Sequence, residues 1–400
     1  MTTSCPAFAN AHSHAFQRRL RGLVQRGSPN LEGGTADSFW TWREGMYAVA
    51  AGLDLTAFEA AARETFAECL EAGYTAIGEF HYLHHPLGTS DDGLEASLAL
   101  MRAARQTGIR LRLLVTAYAR GGFGLPLSER QRRFETPTLG GFEALLDRLE
   151  AVRTASDAGR VELGVAIHSV RAVPRSWLGP LAALARARGL PLHVHASEQP
   201  AEVEMTMKHE GLTPIGLLDR EGVLGPTCSV VHATWCDDDD LARLAQSGTT
   251  VVICPTTEGD LGDGFPRTEA MWQRGVPIAI GSDSHAVIDP LAELRTLETE
   301  ARAGTGRRCV LTAADGGLVG PLLAIGGANG RRALGFAVDG HGDEVTFDDT
   351  RRFFSQCAPE DRLAAALLGG DRGLVDVVRV AGEVVVEGGR HRELGPWRSA

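Results

Sequence analysis

The sequence predicts an α/β fold: a (β/α)8 barrel of the TIM type carrying a small β appendage. Short apolar, β-branched runs recur eight times with helical patterns between them. Each run is continuous rather than alternating, as in parallel strands covered on both faces. Beyond about residue 332 the alternation stops and extended segments follow one another. The expected division is a barrel over 1–335 and a C-terminal appendage, a partial β-sandwich, over 336–400.

In chain order, a first strand at Ala7–Asn10 runs into His12-Ser13-His14. A Gly- and Pro-containing loop, Gly27–Asp37, then leads to Phe39-Trp40-Thr41-Trp42-Arg43-Glu44. The aromatics there read as packing, and Arg43 as either a surface charge or an anion clamp. A helix with Phe58, Ala62, Phe66, Cys69 and Leu70 on one side stops at Gly73. Strand two, within Thr75–Phe80, ends in His81-Tyr82-Leu83-His84-His85. A helix near Leu94–Gln106 precedes strand three, Ile109–Ala117, and one near Gly141–Thr154 precedes strand four, Val161–Ile167, which is followed by His168-Ser169-Val170-Arg171. A helix near Arg175–Arg188 leads to strand five, Leu190–His195, and then Ala196-Ser197-Glu198-Gln199. Strands six, seven and eight are Ser229–His232, Thr249–Cys254 and Pro277–Ile280, the last running into Gly281-Ser282-Asp283-Ser284-His285. In the appendage, Asp343–Phe347 is extended, and Val375–Val380 pairs with Glu383–Val386 around Ala381-Gly382.

The chain has 400 residues, 44% hydrophobic and 23% charged, as a globular protein with a large core does. A formal charge of -11 speaks against nucleic acid or an anionic membrane as partner. No apolar run approaches the ~20 residues of a spanning helix, and no signal peptide is expected. Seven scattered cysteines without a C-x-x-C pair are neither a disulfide scaffold nor a thiolate zinc site. A cytoplasmic enzyme is the expected class.

In such a barrel the residues just past each strand's C-terminal end face one mouth. They are His12 and His14, Tyr82, Arg171, His195 with Glu198, His232 and Asp283. Histidines two apart on a strand share a side, yet alone they read equally as a solvated turn. The pooled set is more informative: three imidazoles and a carboxylate are donors that zinc accepts, with one position left for water. His195 lies nearer the strand end than His193 and is the better ligand. Asp283 reads as a helix cap or as a fourth ligand, the latter preferred because it faces His12 across the mouth. Glu198 is either a surface glutamate or the group that moves protons, and His232 can polarise the attacked centre. Asp283 could also take a proton while ligating.

His12-x-His14, His195, His232 and Asp283 at successive strand ends resemble the amidohydrolase superfamily. His195-x-x-Glu198, with His168 rather than a lysine after strand four, resembles its mononuclear deaminase branch. More narrowly, Asn10–Arg18, Ser38–Tyr47, Glu79–His85, His168–Val173, His193–Gln199, Thr256–Gly264 and Gly281–His285 are similar to the formimidoylglutamate deiminase family. The resemblance implies one divalent metal per chain, zinc, on His12, His14, His195 and Asp283, with Glu198 and His232 catalytic. It implies a small dicarboxylate substrate, N-formimino-L-glutamate of histidine degradation, held by Gln17, Arg43, Tyr82, His168 and Arg171, while the catalytic part of Asp283 is the reading from the residues given above. Products would be N-formyl-L-glutamate and ammonia, Glu198 protonating the departing nitrogen. A homodimer is also implied. Members of the superfamily carry several dozen residues before the first barrel strand, which here starts near residue 7, so either the sequence starts late or the sandwich is reduced. Alternatives are a deaminase of another formimino amino acid or a heterocycle, or a metal-binding relative without turnover.

Overall fold

The computed structural model describes residues 3–24, 38–89 and 93–394; the loop expected at Gly27–Asp37 lies outside them. Strand β1 is Ser4–Pro6 and β2 is Phe8–Ser13. Helices α1 (Phe39–Gly52) and α2 (Leu55–Glu71) precede β3 (Tyr74–His81). Then come α3 (Leu94–Thr107), β4 (Arg110–Ala117), α4 (Leu139–Val152), β5 (Val161–Ser169), α5 (Arg175–Ala187) and β6 (Leu192–Ala196). They are followed by α6 (Pro200–Glu210), α7 (Pro214–Arg220), β7 (Cys228–His232), α8 (Asp238–Ser247), β8 (Thr250–Ile253), α9 (Pro255–Leu261), α10 (Thr268–Gln273), β9 (Ile278–Ile280) and α11 (Pro290–Thr305).

Strands β2 to β9 form one eight-stranded sheet in sequence order, every pair parallel. The ring closes where Ser13 bridges Asp283: Asp283 N donates to His12 O at 3.1 Å and His14 N to Asp283 O at 3.1 Å. Closure therefore sets Asp283 beside both histidines of β2. It needs a glycine just before, because a Cβ on Gly281 would lie 2.8 Å from His12 Cβ and 2.9 Å from His12 O. The first barrel strand runs on to Ser13, beyond the expected Asn10, because this closure and the pairing of Ser13 with Glu79 extend it. Nearly every strand residue is buried, matching the continuous apolar runs. Helix α2 buries Phe58, Ala62, Phe66, Cys69 and Leu70, and the Asp54 side chain caps it by accepting from Ala57 N at 2.7 Å.

The appendage is an antiparallel sheet of five strands: β1, then β10 (Glu344–Phe347), β11 (Val375–Val380), β12 (Glu383–Glu387) and β13 (Arg390–His391). Ala381 (φ 53°) and Gly382 (φ 81°) make the turn between β11 and β12, the left-handed pair that matches strand twist. One strand of this sheet, β1, comes from the segment expected to belong to the barrel. Three residues with only Cys5 buried are too short for a period to show in sequence.

Arginines bind the appendage side to the barrel. Arg110 makes a two-pronged pair with Asp343, both contacts at 3.0 Å, and Asp343 also accepts from Ala381 N at 2.8 Å. Arg112 donates to the carbonyls of Leu334, Leu163 and Gly335. A hollow lies beside these residues, and Arg153 and Arg188 on its wall are paired with Glu150, Glu162, Glu143 and Asp147. Its cations are thus mostly consumed by the fold itself.

Candidate active site

A cavity opens at the C-terminal ends of the barrel strands. Ten of the sequence-identified residues line it: His14, Gln17, Arg43, Tyr82, His168, Arg171, His195, Glu198, His232 and Asp283. His12, fully buried, stands behind His14 and His195.

Around Asp283 four donor groups converge. Asp283 Oδ1 lies 3.4 Å from His12 Nε2 and 3.3 Å from His14 Nε2, and His195 Nε2 is 3.0 Å from His12 Nε2. Tetrahedral bonds of about 2.0–2.1 Å would put neighbouring donors roughly 3.3 Å apart; His12, His14 and His195 form one cluster that could hold such an ion, and Asp283 adds an oxygen at that spacing from His12 and His14. His14 Nδ1 donates to Phe80 O at 2.9 Å and His195 Nδ1 to His168 O at 2.8 Å, which leaves each Nε2 as a lone pair aimed at the centre. Burial, then the neighbouring imidazoles, push His12 and His195 well below the usual histidine range, and His14 falls to about 3 for the same reasons. Neutral rings are what a cation requires. The backbone is strained here: His232 (φ 74°) and Asp283 (φ 42°) are both left-handed.

Proton-bearing groups flank this centre. Glu198 is buried, and burial raises its carboxyl to about 7 although His232 and Arg171 oppose the shift. Burial alone would depress His232, but Glu198, Glu258 and Asp283 outweigh it and raise the ring above the usual range. Its Nε2 lies 3.7 Å from Glu198 Oε1 and 3.9 Å from Asp283 Oδ2.

Across the cavity stand two cations. The Nε atoms of Arg43 and Arg171 are buried without a hydrogen-bond partner. Arg43 stacks 4.5 Å from the Trp40 ring centroid, and Arg171 Nε has Glu202 Oε1 at 3.7 Å. Gln17, on the 3-10 turn Ala15–Leu20, donates to Tyr82 Oη at 2.8 Å. His168 packs against Tyr118 and Tyr82, ring centroids 4.6 and 5.2 Å away.

Sequence reasoning missed part of the wall: Phe39, Trp42, Met46, Tyr47, Tyr118, Phe134 and Leu261 also line the cavity. Phe39 and Trp42 were read as packing alone. Tyr118 stands just past β4, and the strand-end rule applied there would have found it. His81, His84, His85 and His285 stay outside the cavity wall, His84 bonding Thr116 O, His85 bonding Glu135 O, and His285 bonding Ser13 and Ser282.

The amidohydrolase family profile matches residues 3–337. A formimidoylglutamate deiminase of Pseudomonas aeruginosa is 39% identical over 407 aligned positions, covering 99% of this chain and 86% of the relative. Among solved structures, an amidohydrolase from Brucella melitensis superposes with a TM-score of 0.85 at 33% identity, covering 97% of this chain and 86% of the other. An adenosine deaminase from Xanthomonas campestris with bound zinc shares the fold, with a TM-score of 0.78 at 20% identity over 98% of this chain and 82% of the other. On this match and this coverage the chain belongs to the amidohydrolase family and is a hydrolase.

Proposed function

We propose that this protein hydrolyses N-formimino-L-glutamate to N-formyl-L-glutamate and ammonia, as the name of its Pseudomonas relative suggests. The observation that carries the reading is the pairing, in one cavity, of the donor centre with two half-buried guanidiniums, those of Arg43 and Arg171, whose Nε atoms are buried without a hydrogen-bond partner. A neutral heterocycle has no use for two such forks, whereas a dicarboxylate takes both.

His12, His14 and His195, which cluster closely enough for a metal ion, would hold one divalent ion together with Asp283, whose carboxylate lies beside His12 and His14, zinc by the nature of the donors. Bound there, it would supply Lewis acidity that brings water into its nucleophilic form near neutral pH. The chain's own groups do the rest. Arg43 and Arg171 hold the two carboxylates, Tyr82 with Gln17 and His168 close around the glutamyl chain, and the formimino carbon comes to lie beside Asp283. Asp283 and His232 receive and stabilise the proton and charge that water addition releases. Glu198, protonated near neutrality because it is buried, hands its proton to the departing nitrogen. One water is consumed and one ammonia leaves, so atoms balance.

No described helix is long and apolar enough to cross a membrane, which accords with a cytoplasmic enzyme, and we read the molecule as a homodimer. The test is ammonia release by purified, zinc-loaded protein from N-formimino-L-glutamate against guanine- and adenine-type substrates. Preferential release from the formimino acid is expected; release only from a heterocycle would overturn the reading.

A further inference from the structure

We propose that Glu258 orients His232 for the reaction, making α9 the positioning element of the site; this rests on the function proposed above. Strand β8 contributes no residue to the donor centre, yet the stretch that follows it, Thr256–Gly264, hydrogen-bonds to residues beside the catalytic groups. Glu258 Oε1 accepts from His232 Nδ1 at 3.1 Å and from Cys254 N at 2.9 Å, and both side chains are 1% exposed. Tying Nδ1 to Glu258 leaves Nε2 as the ring nitrogen that faces Glu198 and Asp283. A ring free to turn about its Cβ–Cγ bond would present carbon to them half the time.

Neighbouring residues of the same stretch do related work. Thr257 Oγ1 donates to Ser282 O at 3.2 Å and lies 3.2 Å from Ser284 Oγ, so it grips both sides of Asp283. Asp263 accepts from the amide of Gln199, the residue after Glu198. One short segment thus braces three groups from three other strands. Glu258 is absent from the cavity wall; it acts through His232, as the buried carboxylate of a catalytic triad acts through its histidine.

The experiment compares Glu258→Ala and Glu258→Gln. Gln keeps an acceptor oxygen for His232 Nδ1–H and Cys254 N–H, whereas Ala removes it. Glu258→Ala should lower kcat by about 100-fold with KM and zinc content little changed, and Glu258→Gln should recover about tenfold of that loss. Independently of substrate, the full chain labelled with 15N-histidine should show a His232 Nδ1–H resonance, assigned by its disappearance in His232→Asn. That resonance should persist in Glu258→Gln and vanish in Glu258→Ala. Should alanine leave too large a void for folding, Glu258→Leu refills the volume and tests the same loss. A His232 Nδ1–H signal that survives in Glu258→Ala or Glu258→Leu, where no acceptor oxygen remains, overturns the assignment, as does an unchanged kcat or a loss confined to KM. Failure of the parent to release ammonia would count against the proposed substrate alone, the resonance still deciding the role of Glu258.

Discussion

At the scale of single residues, the site divides groups that react from groups that hold. Glu198→Gln removes the buried acid and keeps its volume, so zinc content by metal analysis should stay near one ion per chain. Turnover should fall by about 100-fold or more. Unchanged turnover would take Glu198 out of the reaction. Arg171→Met should act on the other side of the cavity: loss of a charge-assisted carboxylate contact is worth about 1.5–3 kcal/mol. KM for the formimino acid should therefore rise by about tenfold or more, with a smaller change in kcat. Steady-state kinetics separate the two outcomes. Much of this division was readable in advance, because strand-end position alone pooled His12, His14, Tyr82, Arg171, His195, Glu198, His232 and Asp283. Glu258 was not readable as a partner of His232, since 26 residues separate them and only the barrel's curvature makes them touch.

At the scale of elements, helix α2 shows how charge ties separate segments together. Glu68 receives Arg18 from the 3-10 turn that carries Gln17, Arg21 from just after that turn, and Arg372 from the appendage side. Burial alone would raise its carboxyl, but Arg21, Arg372 and Arg18 outweigh it and lower it to about 2. A carboxyl depressed in the folded state adds stability above its unfolded pKa, and this is lost as pH falls through the folded value. The window therefore runs from about pH 4.5 down to about 2. The three arginines are partly exposed, so the contribution at neutral pH is about 1–2 kcal/mol rather than the full shift. Thermal unfolding between pH 5 and pH 2 (~three units) should show a shallower decline for Glu68→Gln than for the parent. Parallel curves would deny Glu68 this part in acid unfolding. The helix itself was legible from Phe58, Ala62, Phe66, Cys69 and Leu70; the charge cluster was not, because its members come from three separate stretches of sequence.

At the scale of the molecule, the barrel and the appended sheet meet at the buried pair of Arg110 and Asp343. Asp343→Ala would leave the Arg110 cation buried without its partner, a loss of about 3–5 kcal/mol. A clear fall in Tm is expected, and a Tm unchanged from the parent would show that this contact does not hold the two parts together. The sequence by itself determined the eight-fold alternation, the helical stripes and the identity of the chemical groups, because periodicity and residue type are local properties. Tertiary structure decided what sits beside what. It joined β1 to strands more than 300 residues away, a pairing that three residues cannot announce. It also closed Asp283 against His12 and His14, aimed Arg43 into the cavity and seated Glu258 under His232. Those outcomes depend on closing a twisted sheet into a ring, which brings distant strand ends together at one mouth and leaves no trace in any local pattern.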